Sequence, residues 1–394
     1  MNFNNYVERK GSDSRKWSLE GMLEMASYVD ENSIPMWVAD MDFKAPDFVE
    51  KALLERVSHG VFGYNTVGDD YYNSVIFWLK NKNNWDIEKS WIVPTSGVVP
   101  ALCYAIQAFT EPGDGVIVQN PVYPPFKGSV ELNNRKVVNN SLKLIQDRYE
   151  IDFKDLEEKL KDSKNKMLIL CNPHNPVGRV WSENELKNII ELCLKYKKIV
   201  VSDEIHSDLI LFNNKFTSMG ILNSKIHDYL VVCTSISKTF NLAGLKASNI
   251  IIPNNNLREK FINEMFKVAA KPIPNIFGAI GVKSCYSKEG ENWLNDLLKY
   301  LEENYLFLKK YLEEKMPQVK CLPIEGTYLA WIDFRELNLS EEELKNKLEK
   351  EAKIVIDGGE IFGDEGKGFI RLNFACHKSI LKEALKRLER ALKN

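Results

Sequence analysis

Chemistry in this chain begins at Ser235-Ile236-Ser237-Lys238-Thr239-Phe240, where the apolar run Leu230–Thr234 gives way to a serine-rich turn ending in a lysine. If the run is a buried parallel strand, Lys238 lies just past its end, where α/β proteins bind ligands. An amine there could form a Schiff base with an aldehyde cofactor, and the hydroxyls could hold a phosphate. Alone, a lysine is more often a solvated surface charge. Three other segments repeat the arrangement. Val200-Val201-Ser202 runs into Asp203, whose carboxylate could keep a pyridinium nitrogen protonated or could cap a helix. Cys171 is followed by Asn172-Pro173-His174-Asn175-Pro176-Val177-Gly178, whose Asn-Pro steps force an extended, turning loop. An amide held there could bond a phenolate oxygen, or could serve the turn alone. Pro94-Thr95-Ser96-Gly97-Val98-Val99 precedes an amphipathic run, and its small residues would let a phosphate approach unpaired amides at a helix start. Neither GxxxxGK[ST] nor GxGxxG occurs, so this is not one of those nucleotide-binding loops.

These segments need a scaffold that brings strand ends together. Gly115–Gln119, Met167–Cys171, Ile199–Ser202, Leu230–Thr234 and Ser248–Ile252 read as short buried strands. Val99–Phe109, Glu183–Lys197 and Leu257–Ala269 read as amphipathic helices, the second opened by a capping box at Ser182 and Glu185. The alternation predicts an α/β domain with a mostly parallel, doubly wound sheet. The tail differs. Tyr328–Asp333 and Phe369–Phe374 read as strands around a helix opened by Ser340 and Glu343, and Ser379 is expected to cap a last helix carrying Leu381, Leu385, Leu388 and Leu392. That is a smaller α+β domain. The expected division is 1–48 as an N-terminal segment contributing to the small domain, 49–285 as the large domain and 286–394 as the small one, with a long helix joining the two over Lys283–Lys310.

A chain of 394 residues suits two domains, and 44% hydrophobic with 27% charged residues is ordinary for a globular protein. A net charge of −2 and the lack of basic runs give nucleic acid no groove. The N-terminus lacks a signal-peptide core, and no apolar stretch approaches membrane-spanning length, so a cytoplasmic protein is expected. Seven scattered cysteines without a CxxC pair read as reduced thiols, and the five histidines form no HExxH, so no metal is expected.

Taken together and in this order, the segments resemble fold-type I pyridoxal-phosphate (PLP) enzymes of the aminotransferase class I/II superfamily. The resemblance runs from Pro35-Met36-Trp37-Val38-Ala39-Asp40-Met41-Asp42-Phe43 to Arg371-Leu372-Asn373-Phe374-Ala375. It implies the aspartate-aminotransferase fold and PLP as cofactor. Lys238 matches the Schiff-base lysine, Asp203 the partner of the pyridine nitrogen, and Asn175 the asparagine that bonds the cofactor's O3′. Tyr123 matches the ring-stacking aromatic. Gly97 and Val98 match the phosphate-binding amides, with Ser235 and Ser237 adding hydroxyls. Arg371 matches the arginine whose fork holds a substrate α-carboxylate. Tyr64 matches a tyrosine that reaches the neighbouring subunit's phosphate, which implies a homodimer with shared active sites; a core tyrosine is the other reading. Trp37 and Ala39 are expected to border the substrate, with core packing the alternative for Trp37.

Two positions depart from the commonest aminotransferase pattern. His206 stands where a tyrosine usually reaches O3′, and Lys246 where an arginine usually clamps the phosphate. These residues, with Pro35–Phe43, Asp203–Asp208 and Ser237–Leu245, resemble instead the cystathionine β-lyase branch, the MalY/PatB type of C–S lyase. That branch implies α,β-elimination of an amino-acid thioether to pyruvate, ammonia and a thiol. An aminotransferase of a small or aromatic amino acid would use the same residues. A regulatory protein partner stays open for this branch, although a pure binding protein would not need Lys238, Asp203, Asn175 and Arg371 together. No arginine stands out as the second cation that aspartate recognition requires.

Overall fold

The computed structural model describes residues 3–393. Its larger sheet has seven strands, in the order Ile92–Thr95, Ser248–Ile251, Leu230–Ser235, Ile199–Asp203, Asn165–Cys171, Gly115–Val118 and Lys136–Asn139. Adjacent strands run parallel except Ser248–Ile251, which is antiparallel to both neighbours. The central strands are buried on both faces, which is why they read as continuous β-branched runs without alternation. The two outer strands escape that pattern: Ile92–Thr95 is interrupted by Pro94, and Lys136–Asn139 is only part-buried.

Helices cover both faces. On one side, Val98–Phe109, Pro124–Leu132 and Asn255–Lys267 bury Leu102, Ile106, Phe126 and Phe261 against Val116, Val118, Ile169 and Val231. On the other side, Ile117, Leu168, Val200 and Val232 belong to a core that continues into the second domain. Burying such aliphatic side chains contributes about 1.5–3 kcal/mol each, before chain entropy is set against it. The helix Glu183–Tyr196 starts at Ser182 with a complete capping box.

Register decides where the chemistry sits. Cys171 pairs with Asp203, and Asp203 with Cys233, so these strands end abreast. Ser248 pairs with both Ser235 and Thr95, so the antiparallel strand starts where its neighbours stop. The Asn-Pro loop, Asp203, the Ser235–Lys238 turn, Lys246 and Gly97 therefore leave the sheet at one edge.

The long helix Lys288–Lys315 leads into a four-stranded antiparallel sheet, ordered Lys320–Cys321, Leu329–Asp333, Phe369–Asn373 and Asp357–Gly358. The N-terminal pair Ile34–Pro35 joins this region by running parallel to Ile354–Val355. Glu341–Asn346 starts with the expected capping box at Ser340. The last helix differs from expectation. It starts at Lys378, so Ser379 lies inside it, and the Ser379 amide donates instead to His377 Nδ1 at 3.3 Å. A histidine ring can accept that bond as a serine hydroxyl does, and it hid the helix start.

Large and small domains meet through Gly178, at the end of the Asn-Pro loop. Its carbonyl accepts the amides of Glu325 (2.8 Å) and Gly326 (3.1 Å). Glu325 in turn accepts from Arg179 Nε (3.0 Å) and from the Val180 amide (2.8 Å). Gly178 has φ +71°, and a Cβ there would stand 2.6 Å from Ile324 Cγ1. Gly178→Ala should therefore cost about 2–3 kcal/mol, from a left-handed alanine and a forced shift of Ile324. Chemical denaturation measures this, and an unchanged midpoint would mean that the junction yields freely.

Candidate active site

Lys238 lies in a short helical turn, Ile236–Thr239, capped by Ser235, whose hydroxyl accepts the Ser237 amide at 3.1 Å. The Lys238 amine donates to the Ala39 carbonyl at 2.7 Å. Tyr328 Oη donates to the same oxygen, also at 2.7 Å. Burial pushes the Lys238 ammonium down to about 8; Asp40 and Asp203 oppose this and Arg371 adds to it.

The carbonyl that holds Lys238 belongs to a loop pinned from several sides. Asn241 accepts the Met41 amide at 2.9 Å and donates to the carbonyls of Met41 (2.9 Å) and Phe43 (3.0 Å). Asn373 donates to the carbonyls of Val38 and Asp40, each at 2.6 Å. Buried Asp42 accepts from Arg9 (2.7 Å), Lys16 (3.0 Å) and Trp17 (2.9 Å). Between these anchors Val38 is held at φ +39°, a conformation that a β-branched residue rarely adopts.

Asp203 ends its strand buried, with the Ile205 amide donating to Oδ1 at 3.1 Å. Burial raises its carboxyl to about 7, although that amide and Lys238 favour the charged form. Glu204, which faces Ser202 and the Met219 amide, is likewise pushed to about 7 by burial. Asn175 Oδ1 accepts from Arg371 Nη1 at 2.9 Å. The Nε and Nη2 groups of Arg371 donate to Asp357 at 3.1 and 2.5 Å, across the pairing of Asp357 with Arg371 in the small sheet. Part of the guanidinium fork is thus engaged by a carboxylate of the same chain, and the Phe362 ring lies 4.8 Å from its centre. His206 is buried edge-on to Tyr328 at 6.1 Å; burial and the charges of Lys238 and Arg371 keep it neutral, and its Nδ1 has no hydrogen-bond partner.

A cavity of about 440 Å³ gathers Lys238, Asp203, Asn175, His206, Tyr123 and Ala39. Its opposite wall holds Gly97, Val98, Ser235, Ser237 and Lys246. Gly97 caps the helix Val98–Phe109 without a side-chain bond, so the helix's first amides face this wall. Ser235 Oγ donates to the Ala247 carbonyl at 2.8 Å. Tyr64 is fully exposed and borders an adjoining hollow, which shares Ser96 and Lys246 with this cavity. Trp37 is not on the wall. It is buried against Met22, Ala26 and Val355, with its Nε1 donating to the Lys16 carbonyl at 3.2 Å. Packing claimed this aromatic, and Arg15, lying 5.3 Å over its ring, borders the cavity instead.

Sequence reasoning missed Arg15, Tyr328, Asp357 and the asparagine clamps. A signal existed for Asn373, which follows Arg371 at the two-residue spacing that puts both side chains on one face of a strand. Arg15 and Asp357 carry no comparable local signal.

The residues fit a phosphorylated pyridine aldehyde. Asp203 is a buried carboxyl that a cationic ring nitrogen would relieve, Lys238 is an amine with a lowered pKa, and the uncapped helix start suits a phosphate. Among the described residues no cluster of His, Cys, Asp and Glu is placed to hold a metal ion, and no helix is long and apolar enough to cross a membrane.

Comparison with known proteins agrees with this geometry. The family model for aminotransferase class I and II matches residues 35–388. Cystathionine beta-lyase PatB of Bacillus subtilis (strain 168) is 43% identical over 392 residues, which span 100% of both chains. Crystalline cystalysin from Treponema denticola, which contains a pyridoxal 5′-phosphate cofactor, superposes with a TM-score of 0.95 at 39% identity, over 100% of this chain and 98% of that one. The PLP-bound C–S lyase of Staphylococcus hominis, complexed with L-cycloserine, gives 0.92 at 30% identity, over 100% of this chain and 98% of that one.

The raised carboxyls have a thermodynamic consequence. Folded Asp203 and Glu204 keep protons that the unfolded chain releases near pH 4, so their contribution to stability is full below that pH and is lost as pH rises through about 7. Cofactor-free protein should melt progressively lower from about pH 5 to pH 7, and Asp203→Asn should flatten part of that slope. A melting temperature independent of pH in both proteins would contradict the burial argument.

Proposed function

The chain belongs to the aminotransferase class I and II family and is a PLP-dependent carbon–sulfur lyase of the cystathionine β-lyase type, and we propose that Lys238, Asp203, Asn175 and Arg371 carry its reaction. The observation that carries this assignment is the meeting, at one cavity, of the Lys238 amine, the buried Asp203 carboxyl and Asn175, whose side chain holds Arg371. The reaction is an α,β-elimination, which takes a cysteine- or cystathionine-type amino acid to pyruvate, ammonia and a thiol.

Bound PLP supplies an electron sink for the pair left when the substrate's α-proton is removed. Every other task falls to the chain. Lys238 would hold the cofactor's aldehyde carbon and, as a free amine, would take the proton from the substrate's Cα. A pKa of about 8 leaves part of its population as free amine near neutrality, which a general base needs. Asp203 would keep the pyridine nitrogen protonated, and Asn175 would hydrogen-bond the ring oxygen. Neutral His206 lines the same cavity without adding charge there. Gly97, Val98, Ser235, Ser237 and Lys246 would hold the phosphate. Tyr123 would pack against the ring. Arg371, oriented by Asp357 and Asn175, binds the α-carboxylate and so sets the Cα–H bond toward Lys238. The Cβ–S bond then breaks, the thiolate takes a proton, and the three-carbon remainder hydrolyses to pyruvate and ammonia. Ala39, whose carbonyl holds Lys238, borders the substrate.

The enzyme is a homodimer in this reading, in which Tyr64, fully exposed and unburied by its own chain, reaches the phosphate of a second subunit. The free cysteines suit a reducing, cytoplasmic setting.

Two measurements test these assignments. L-cystathionine without added keto acid should yield pyruvate faster than aspartate and 2-oxoglutarate yield glutamate; the reverse order would make the enzyme an aminotransferase. Lys238→Ala and Tyr64→Ala should each be nearly inactive. Dissociating and reassociating the two together should restore part of the activity, since one site of each mixed dimer then has both native residues. Failure to recover any activity would place Tyr64 in its own subunit's site.

A further inference from the structure

The cavity that holds Lys238 is bordered by an arginine other than Arg371, namely Arg15. Arg371 is buried and already bonded to Asp357 and Asn175, whereas Arg15 is mostly solvent-exposed. The Arg15 guanidinium is braced on two sides. It lies 5.3 Å over the ring of buried Trp37, and its Nε donates to Glu24 Oε2 at 2.8 Å, with Nη2 reaching the same oxygen. Glu24 is the C-terminal cap of the short helix Leu19–Leu23, and Trp37 packs on Met22 of that helix. Arg15, which borders the cavity, is thus tied to this helix through Glu24 and Trp37. Nη1 makes no hydrogen bond among the described residues.

A cavity bordered by Arg15, which carries Glu24 beside it, and by Asn175, which holds buried Arg371 behind it, suits a particular ligand. It is a molecule with an amino-acid head at each end: one carboxylate goes deep, while the distal carboxylate and ammonium stay at the rim. A thioether joining two amino acids has this form, whereas cysteine and S-alkyl cysteines lack the second head.

We propose that Arg15 and Glu24 form a receptor for the distal amino-acid head of a diamino-acid thioether, Arg15 pairing with its carboxylate and Glu24 taking its ammonium. This rests on the lyase reading and specifies the substrate class at that site.

The test compares L-cystathionine with S-methyl-L-cysteine, which has the same Cβ–S bond and no distal head. In the holoenzyme, Arg15→Met should lower the ratio of kcat/KM for cystathionine over S-methyl-L-cysteine about tenfold, through KM, as expected for loss of a charge-assisted bond. Arg15→Lys should keep most of the ratio, and Glu24→Gln should lower it by a smaller factor. Titration calorimetry of L-cystathionine into Lys238→Ala, with and without Arg15→Met, should show the same loss in affinity without turnover. An unchanged ratio together with unchanged affinity would reduce Arg15–Glu24 to a surface ion pair and overturn the proposal. So would an equal loss for both thioethers, which would make Arg15 a brace for the cavity wall. If wild-type enzyme released pyruvate from neither thioether, the lyase reading would fall, and the calorimetric comparison would still decide whether the head group is bound.

Discussion

A single carbonyl oxygen organises the catalytic half of this molecule. Ala39 accepts from both Lys238 and Tyr328, and it can do so only because its loop is held in a shape it would not choose freely. Val38 at φ +39° carries a cost of about 1–3 kcal/mol. The hydrogen bonds from Asn241 and Asn373, and the ion pairs of Asp42 with Arg9 and Lys16, offset it. The N-terminal residues are therefore part of the site's architecture, although none of the chemistry-bearing motifs lies in them.

Electrostatics follows the same logic of enforced burial. The cavity and its surroundings collect Lys238, Arg371, Asp203 and Asp357, the last three of them buried. Arg371 has its counter-charge within the chain, in Asp357. Asp203 has no such partner at bonding distance, which is why burial dominates its carboxyl. Lys238 is the converse case: it keeps a hydrogen bond to a neutral carbonyl, and it loses charge more readily than a surface lysine. The protein thus neutralises the group that must stay fixed and leaves unbalanced the groups that must exchange partners.

Much of this was legible in the residues alone. The five central strands and the three covering helices announce themselves because full burial demands unbroken β-branched runs and one-sided helices. The residues at strand ends were legible because register forces them to one edge. The outer strands Ile92–Thr95 and Lys136–Asn139 were not, since a proline and partial exposure erase the pattern. Trp37 was assigned to the substrate's border by its position in the motif, but a large aromatic also fills space, and here packing claimed it. Arg15 and Asp357 were invisible for a different reason. Each acts through a contact made only when distant segments meet, and single charged residues in polar surroundings look alike along a chain.

The strand Phe369–Asn373 has a mechanical consequence. Its Arg371 faces Asn175, while two residues on its Asn373 grips the carbonyls flanking Ala39. The parallel pairing of Ile34–Pro35 with Ile354–Val355 ties the same loop to the small domain a second time. The loop is thus held from the small domain by Asn373 and by this pairing, and from the large domain by Asn241. One five-residue strand therefore spans the site, meeting the cofactor-side Asn175 through Arg371 and, two residues on, the loop whose Ala39 oxygen accepts the Lys238 amine, so that the carboxylate-binding and amine-holding ends share a single rigid support.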